Sequence, residues 1–408
     1  MEGEASLLTV TKDLVLPTTV AGSWPRPVWY TENLAGRPLS SALNDLTFRE
    51  QFIDANASVV GEQEFAGLDI LTNGDYHLDA DFAGRSWHSY ALERLGGVSP
   101  LDLERTSEAF AAPNGTWVSE IMGGWRFPGV VDKIGPGTPL EYAKIWRIAQ
   151  ARASRPVKFG TNTADVLGTV LNLRTDLYDD DKKQLMWDIA SVINAELREL
   201  VAAGCRIVQI EDPMFHNATW DDDMVDFLVD LHHHQVSGLE GAEIWAHACW
   251  GNPGAQGSVR EVRDYSRTID IYLHRLNIDV WQIESKGSDH DTLELFTPYK
   301  GRLPVKVAVG MISHRTVQVE GVGEIAADIR RVLEHIDAAD LILGSDCGFG
   351  RQGVARPIAF YKAAALAQGA NIVKAELGLP QTYVGAADAA RQIDPSLLRI
   401  DPRYAPLT

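Results

Sequence analysis

The stretch KKQLMWDIASVINAELRELVAAGCRIVQIEDP, residues 182–213, decides the fold. Lys182–Ala203 reads as a helix, and Gly204 stops it. Arg206–Ile210 follows as a short strand and ends in the polar turn Glu211-Asp212-Pro213. The same alternation runs outward in both directions. Toward the C-terminus come a helix over Asp222–His233 and a strand from Glu243 to Ala246. A helix over Arg260–Leu276, a strand over Asp279–Ile283 and a short helix near Asp291–Leu295 follow. Then come a strand over Pro304–Ile312, a helix over Gly323–His335, a strand over Leu341–Gly344 and a closing helix over Pro357–Leu377. Toward the N-terminus lie strands at Pro156–Gly160 and Ile70–Thr72 and a helical pattern over Phe48–Phe65. A first apolar run, Leu16–Val20, leads into Ala21-Gly22-Ser23-Trp24-Pro25. Alternating strands and helices imply parallel pairing with helical crossovers. About eight such units predict an α/β fold, a (β/α)8 TIM barrel with its chemistry at the C-terminal strand ends. An open doubly wound sheet is the alternative, and it too gathers ligands beyond the carboxyl ends.

The rhythm breaks once, from residue 76 to about 140, where aromatics, glycines and prolines crowd together. This reads as an insertion after the second strand, with a β-hairpin pairing Thr116–Ile121 against Trp125–Val131. It is too aromatic for a disordered segment. The whole of 1–408 reads as a single domain, with tails at 1–15 and about 395–408.

The formal charge of −19 argues against a nucleic-acid backbone or an anionic membrane as partner. No run of about 18 apolar residues predicts a membrane span. The acidic start, Met1-Glu2-Gly3-Glu4, lacks the basic opening of a secretory signal. Three cysteines cannot close a disulfide framework, which points to a reducing cytoplasm. Whether copies of the chain assemble as a homo-oligomer is left open.

Two of those cysteines end strands. His247-Ala248-Cys249 closes the run from Glu243, and Asp346-Cys347-Gly348 closes Leu341–Gly344. Between them, Asp279–Ile283 ends in Glu284. Residues i and i+2 of a strand share a face, so His247 and Cys249 point the same way. Each residue alone admits a plainer reading: a buried structural thiol, a satisfied histidine, or a carboxylate paired with neighbouring Lys286. At one end of one sheet, His247, Cys249, Glu284 and Cys347 form a mixed N, S and O set that suits Zn2+. Such an electron-rich set activates water poorly but suits an incoming thiol, which is only a few per cent ionised when free. Cys205, at the opposite end of its strand, reads as structural. His232-His233-His234 reads as a solvated helix face.

With these residues in place, the sequence resembles the cobalamin-independent methionine synthase family, in its C-terminal catalytic barrel. The likeness rests on His247-x-Cys249, Glu284 and Asp346-Cys347-Gly348. It extends to Ala21-Gly22-Ser23, Asn73-Gly74-Asp75, Gln209-Ile210-Glu211-Asp212-Pro213 and Phe360–Gly378. The duplicated N-terminal half of the long synthases has no counterpart. The resemblance implies a zinc-dependent methyltransferase of methionine biosynthesis. It implies a small-molecule methyl donor such as methyltetrahydrofolate and a zinc-bound thiol acceptor such as homocysteine. It implies that Ser23, with the backbone at Gly22, meets the acceptor's carboxylate, and that Asp75 and Glu211 hold its amino group. Departures from the family pattern fall at substrate and donor positions: Glu211-Asp212-Pro213, Asp75, and Ser313-His314-Arg315.

Moving a methyl from a tertiary amine requires a proton for the nitrogen left behind. His314 is a candidate catalytic acid for it, or else a loop-fixing residue tied to Glu320 or Asp346. Arg315 and Arg351 would bind an anionic donor tail or stay solvated; Trp24, Trp87, Trp250 and Trp281 would wall a flat donor or simply pack. Two alternatives remain: a thiol alkyltransferase resembling the epoxyalkane:coenzyme M transferases, and a non-catalytic zinc-binding protein.

Overall fold

The computed structural model describes residues 8–80, 86–99, 128–171, 175–179, 181–211, 215, 222–251, 264–350 and 353–391. Nine strands occur among them: β1 (Leu71–Thr72), β2 (Gly96–Ser99), β3 (Gly129–Gly135), β4 (Val157–Asn162), β5 (Ile207–Glu211), β6 (Glu243–Ala248), β7 (Val280–Ile283), β8 (Lys306–Ile312) and β9 (Leu341–Ser345). Seven form one curled parallel sheet in the order β1-β4-β5-β6-β7-β8-β9. Nearly every residue of β4 to β9 is buried, as parallel strands covered on both faces require. The α/β class and the parallel order are as the sequence predicts.

Leu16–Val20 forms no regular strand. Pro17 has no N–H and Leu16 sits at φ +52°, so pairing is confined to a bridge. That bridge spans the two edges of the sheet. The Leu343 N–H of β9 donates to the Pro17 carbonyl at 2.8 Å and Thr19 N–H donates to the Leu343 carbonyl at 2.9 Å. On the other side, the Thr18 carbonyl accepts N–H groups from Asp69 (2.9 Å) and Ile70 (3.0 Å), just ahead of β1.

The helices lie outside the curl and end where their caps dictate. Asp45 caps Leu46–Ala66 by accepting from Thr47 and Phe48 N–H, and Asp181 caps Lys182–Ala202 through Lys183 and Gln184. Asp222–Gln235, Val322–Leu333 and Arg356–Glu376 are the other long helices of the predicted pattern. The expected helix over Arg260–Leu276 is much shorter within the described residues. Residues 269–275 coil, ending in a π-type turn over Ile271–Arg275 closed by Leu276 N–H on the Ile271 carbonyl. In the insertion, β2 pairs antiparallel with β3. The expected hairpin partner Thr116–Ile121 lies outside the described residues.

The interior has a closed end and an open one. Ile70, Ile207, Trp245, Val280, Ala308 and Ile342 form a separate apolar layer inside the curl, with Val10 packed against it. Beneath that layer, one Glu243 oxygen accepts N–H groups from Thr9, Val10 and Thr11 at 2.8, 2.5 and 2.6 Å. Lys306 Nζ donates to the Thr11 and Leu14 carbonyls at 2.5 and 3.2 Å. The N-terminal segment therefore plugs the N-terminal ends of the strands, leaving the carboxyl ends for chemistry.

Candidate metal centre

The side chains of β6 that face inward recur every second residue: Glu243, Trp245, His247, then Cys249 just past the strand end. Cys347 arrives from the turn after β9. The ligand atoms of His247, Cys249 and Cys347 all lie within 4.8 Å of one another. Ligands at about 2.0 Å for nitrogen and 2.3 Å for sulfur around one ion would stand at comparable separations.

The electrostatics of this trio are those of thiols sharing a proton. Hydrogen bonding to Cys347, followed by burial, pushes the Cys249 thiol well above its ordinary range. The same contact from Cys249, helped by His247 and His314, holds Cys347 well below it. Burial pulls His247 down, but Glu211 and Cys347 outweigh it and carry the imidazole above its usual value. His247 is 1% exposed, and neither ring nitrogen has a conventional hydrogen-bond partner; the nearest Glu211 oxygen is 3.8 Å away. Orphaned nitrogens on a buried imidazole beside a thiolate are what a thiophilic cation would satisfy. The residues fit Zn2+.

Glu284 stands in a neighbouring group. It is 0% exposed, and Arg315 grips it twice, Nε to Oε1 at 2.5 Å and Nη2 to Oε2 at 3.0 Å. Trp250 N–H donates to the same carboxylate at 2.8 Å. The sequence reading that paired Glu284 with Lys286 is incorrect. Lys286 turns outward to Glu324 and Asp328 at 2.6 and 2.7 Å. Arg315 is correspondingly neither solvated nor free for a donor tail, and Arg351 lies outside the described residues.

Glu284, His314 and Asp346 also bring ligand atoms within 4.8 Å of one another. They do not make a second cation site, because their oxygens are already engaged. Asp346 accepts N–H groups from Ser285 and Lys286 at 2.8 Å and from Gly287 at 2.7 Å. Burial and then Glu284 raise its carboxyl to about 7. A Cβ on Gly310 would lie 2.0 Å from its Oδ1, so this seat requires glycine there. The ladder between β8 and β9 shifts register at that point, as bulges beside active sites do.

His314 is 2% exposed; Nε2 faces the Gly251 carbonyl at 3.4 Å, and Nδ1 has no hydrogen-bond partner. Burial lowers it, against the pull of Cys347 and Glu284. The Glu320 link goes instead to Ser313 N–H at 2.9 Å and to Lys362 at 2.9 Å.

Of the three expected substrate residues, Asp75 and Glu211 meet on the β1–β5 side. A Cβ on Gly22 would meet Asp75 Oδ2 at 3.4 Å and Glu211 Oε1 at 4.0 Å, so both acids converge on Gly22, the neighbour of Ser23 in sequence. Asp75 and Glu211 line a small pocket of about 30 Å³ with Trp87, Tyr90, Tyr142 and Asn162. Ser23 is tied to the Cys347 turn: its carbonyl accepts Phe349 and Gly350 N–H at 2.8 and 3.1 Å. Asp212 and Pro213 lie outside the described residues.

Of the tryptophans, only Trp87 lines the pocket. Trp24, Trp250 and Trp281 are 1%, 1% and 0% exposed, with Trp250 against Tyr265 and Trp281 stacked on Tyr272, ring centroids 4.4 Å apart in both pairs. Cys205 is buried and donates to the Ile207 carbonyl; burial pushes its thiol up to about 12. The histidine run is a solvated face only in part, with His233 exposed. His232 is 4% exposed, and His234 stacks on Trp187 at 4.4 Å. Sequence reasoning missed Lys158, whose ammonium lies inside the sheet and is pushed by burial down to about 7, against Glu211 and Asp75. A lysine within a run otherwise reading as a buried strand was the available signal.

The chain is similar to known proteins along most of its length. The family model described as the catalytic domain of cobalamin-independent synthases matches residues 107–367. A methionine synthase from Sulfurisphaera tokodaii is 26% identical over 366 residues, covering 89% of this chain and 94% of that protein. One from Saccharolobus solfataricus is 27% identical, covering 89% and 96%. In structure, the chain is similar to a B12-independent methionine synthase from Shewanella sp. W3-18-1, solved with selenomethionine: TM-score 0.71, 24% identity, 89% and 99% covered. A methyltransferase from Methanosarcina mazei shares the fold at TM-score 0.54 and 14% identity, with 88% and 94% covered. With well over half its length matched, the chain belongs to the cobalamin-independent synthase catalytic-domain family.

Proposed function

We propose that this protein is a zinc-dependent methyltransferase that moves a methyl group from a donor such as methyltetrahydrofolate to the sulfur of homocysteine. The convergence of His247, Cys249 and Cys347 at the open end of the sheet carries the reading. We read the bridged sheet as a (β/α)8 barrel and residues 1–408 as one domain. The free thiols suit a reducing compartment such as the cytoplasm.

His247, Cys249 and Cys347 would hold the metal, with Glu284 as the exchangeable fourth member. Bound zinc supplies a neutral-pH route to a thiolate by displacing the thiol proton. The chain's own residues orient the rest. Asp75 and Glu211 take the ammonium through charge-assisted hydrogen bonds. Ser23 sets the carboxylate end. As the C–N bond of the donor breaks and the S–C bond forms, the departing nitrogen takes up a proton; His314, kept neutral by burial, would accept at Nδ1, which has no other partner, the proton the thiol gives up, and pass it on.

Two acids at the pocket favour an amine-bearing thiol over a sulfonate-bearing one, since Arg315 is already committed to Glu284. The test is zinc content of the purified protein with and without homocysteine, then turnover with methyltetrahydrofolate. Folded protein that binds no zinc from a metal buffer would refute the reading.

A further inference from the structure

Lys158 is a buried charge with no part in the chemistry above. It is 1% exposed and lies 4.7 Å from the centroid of the Trp245 ring. Its Nζ donates to Gln209 Oε1 at 2.6 Å and to Gln282 Oε1 at 3.0 Å. An ammonium has three donors and no lone pair, so both glutamines must turn their oxygens toward it. Both amide nitrogens then face the other way. Gln209 Nε2 donates to the Ala21 carbonyl at 2.6 Å and to Glu211 Oε1 at 2.5 Å. Gln282 Nε2 donates to the Ser345 carbonyl at 3.2 Å. Ser345 in turn donates its hydroxyl to the Cys347 carbonyl and accepts Ala21 N–H, both at 2.8 Å.

One cation therefore sets the sense of two amides. Reversing Gln209 would aim an amide oxygen at a carboxylate, and Glu211 would have to move. Glu211 and Asp75 favour the charged form of Lys158, and even a neutral amine keeps enough N–H groups for both oxygens. Such relays orient a functional side chain without touching the substrate, and a chain of polarised hydrogen bonds in a dry interior holds it firmly.

We propose that Lys158 is a positioning residue: acting through Gln209, it fixes the Glu211 carboxylate for the ammonium of an amine-bearing thiol and so sets selectivity for that thiol. The inference rests on the reading of Asp75 and Glu211 as the amino-group site. The plain alternative is that Lys158 only fills the interior.

The test compares dissociation constants, by calorimetry on zinc-loaded protein, for homocysteine and for 4-mercaptobutanoate, the same thiol without its amino group. Wild type should prefer homocysteine. Lys158→Met should keep stoichiometric zinc, bind homocysteine about tenfold more weakly and bind the desamino thiol within about twofold of wild type. An interior-filling role would weaken both thiols alike or neither, and either result overturns the proposal. If Lys158→Met does not fold, Gln209→Glu keeps an acceptor for Lys158 but loses the donor to Glu211. It should show the same selective loss, and an unchanged ratio of the two constants overturns the proposal. Wild-type protein that binds both thiols equally would instead overturn the amino-group site itself, and this inference with it.

Discussion

Arg315 and Glu284 form a two-point ion pair across the ends of β8 and β7, with contacts of 2.5 and 3.0 Å and no solvent at the carboxylate. The guanidinium thus occupies the one member of the predicted metal set that does not join His247, Cys249 and Cys347. A carboxylate held this way has two places to go, the arginine or the metal. Arg315→Met should remove the first. Without metal, breaking a buried pair should cost about 3 kcal/mol of stability. With zinc, much of that loss should return, because Glu284 can turn to the ion. Denaturant titrations of both forms measure it. Equal loss with and without zinc would show that Glu284 does not serve the metal.

The three cysteines should separate cleanly. Cys249→Ser and Cys347→Ser should each weaken zinc by more than about 100-fold, beyond what losing a supporting hydrogen bond does. Glu284→Gln should weaken it by about tenfold or less, since Arg315 already shares that side chain. Cys205→Ser should hold one zinc per chain, because its thiol is engaged with Ile207 at the far end of β5. Competition against a chromophoric chelator ranks all four. Loss of zinc in Cys205→Ser would mean the wrong thiols were chosen.

The strand ends were legible because period two and turn residues are local signals. His247 with Cys249 needed only the i, i+2 rule, and Cys205 was set apart by its place before its strand. What sequence could not supply was geometry across strands. Lys286 is two residues from Glu284, yet the turn carries it out to Asp328, while Arg315 reaches in from the next strand. The bridge at Leu16–Val20 looked like a strand because its composition is apolar; Pro17 and the positive φ of Leu16 limit its ladder. His232 was misread because three consecutive histidines suggest polarity, whereas successive helix positions point in different directions and the first of them faces the core.

Asp75 and Glu211 should act on the acceptor and not on the metal. Asp75→Asn and Glu211→Gln are each expected to weaken homocysteine binding by about tenfold, the loss of one charge-assisted hydrogen bond. Zinc content should stay at one per chain, and kcat at saturating thiol should fall less than kcat/KM. A parallel loss of zinc in Glu211→Gln would show that Glu211 supports His247, 3.8 Å away, more than it does the substrate.

Lys158 also predicts a pH dependence of stability with a definite sign. Its amine titrates at about 7 in the folded protein and about 10.4 when unfolded. Between those values the unfolded chain carries more protons, so unfolding free energy rises with pH by this group's contribution. The gain is complete above the unfolded value and is lost as pH falls to about 7. Lys158→Met has no such group. Urea midpoints measured from pH 7.5 to 9.5 should therefore climb less steeply in the variant than in wild type. Both chains carry the same three cysteines, so thiol ionisation cancels in the comparison. Identical slopes would mean that Lys158 ionises inside the sheet as it does in water, and that its contacts with Gln209 and Gln282 offset the cost of burying a full charge.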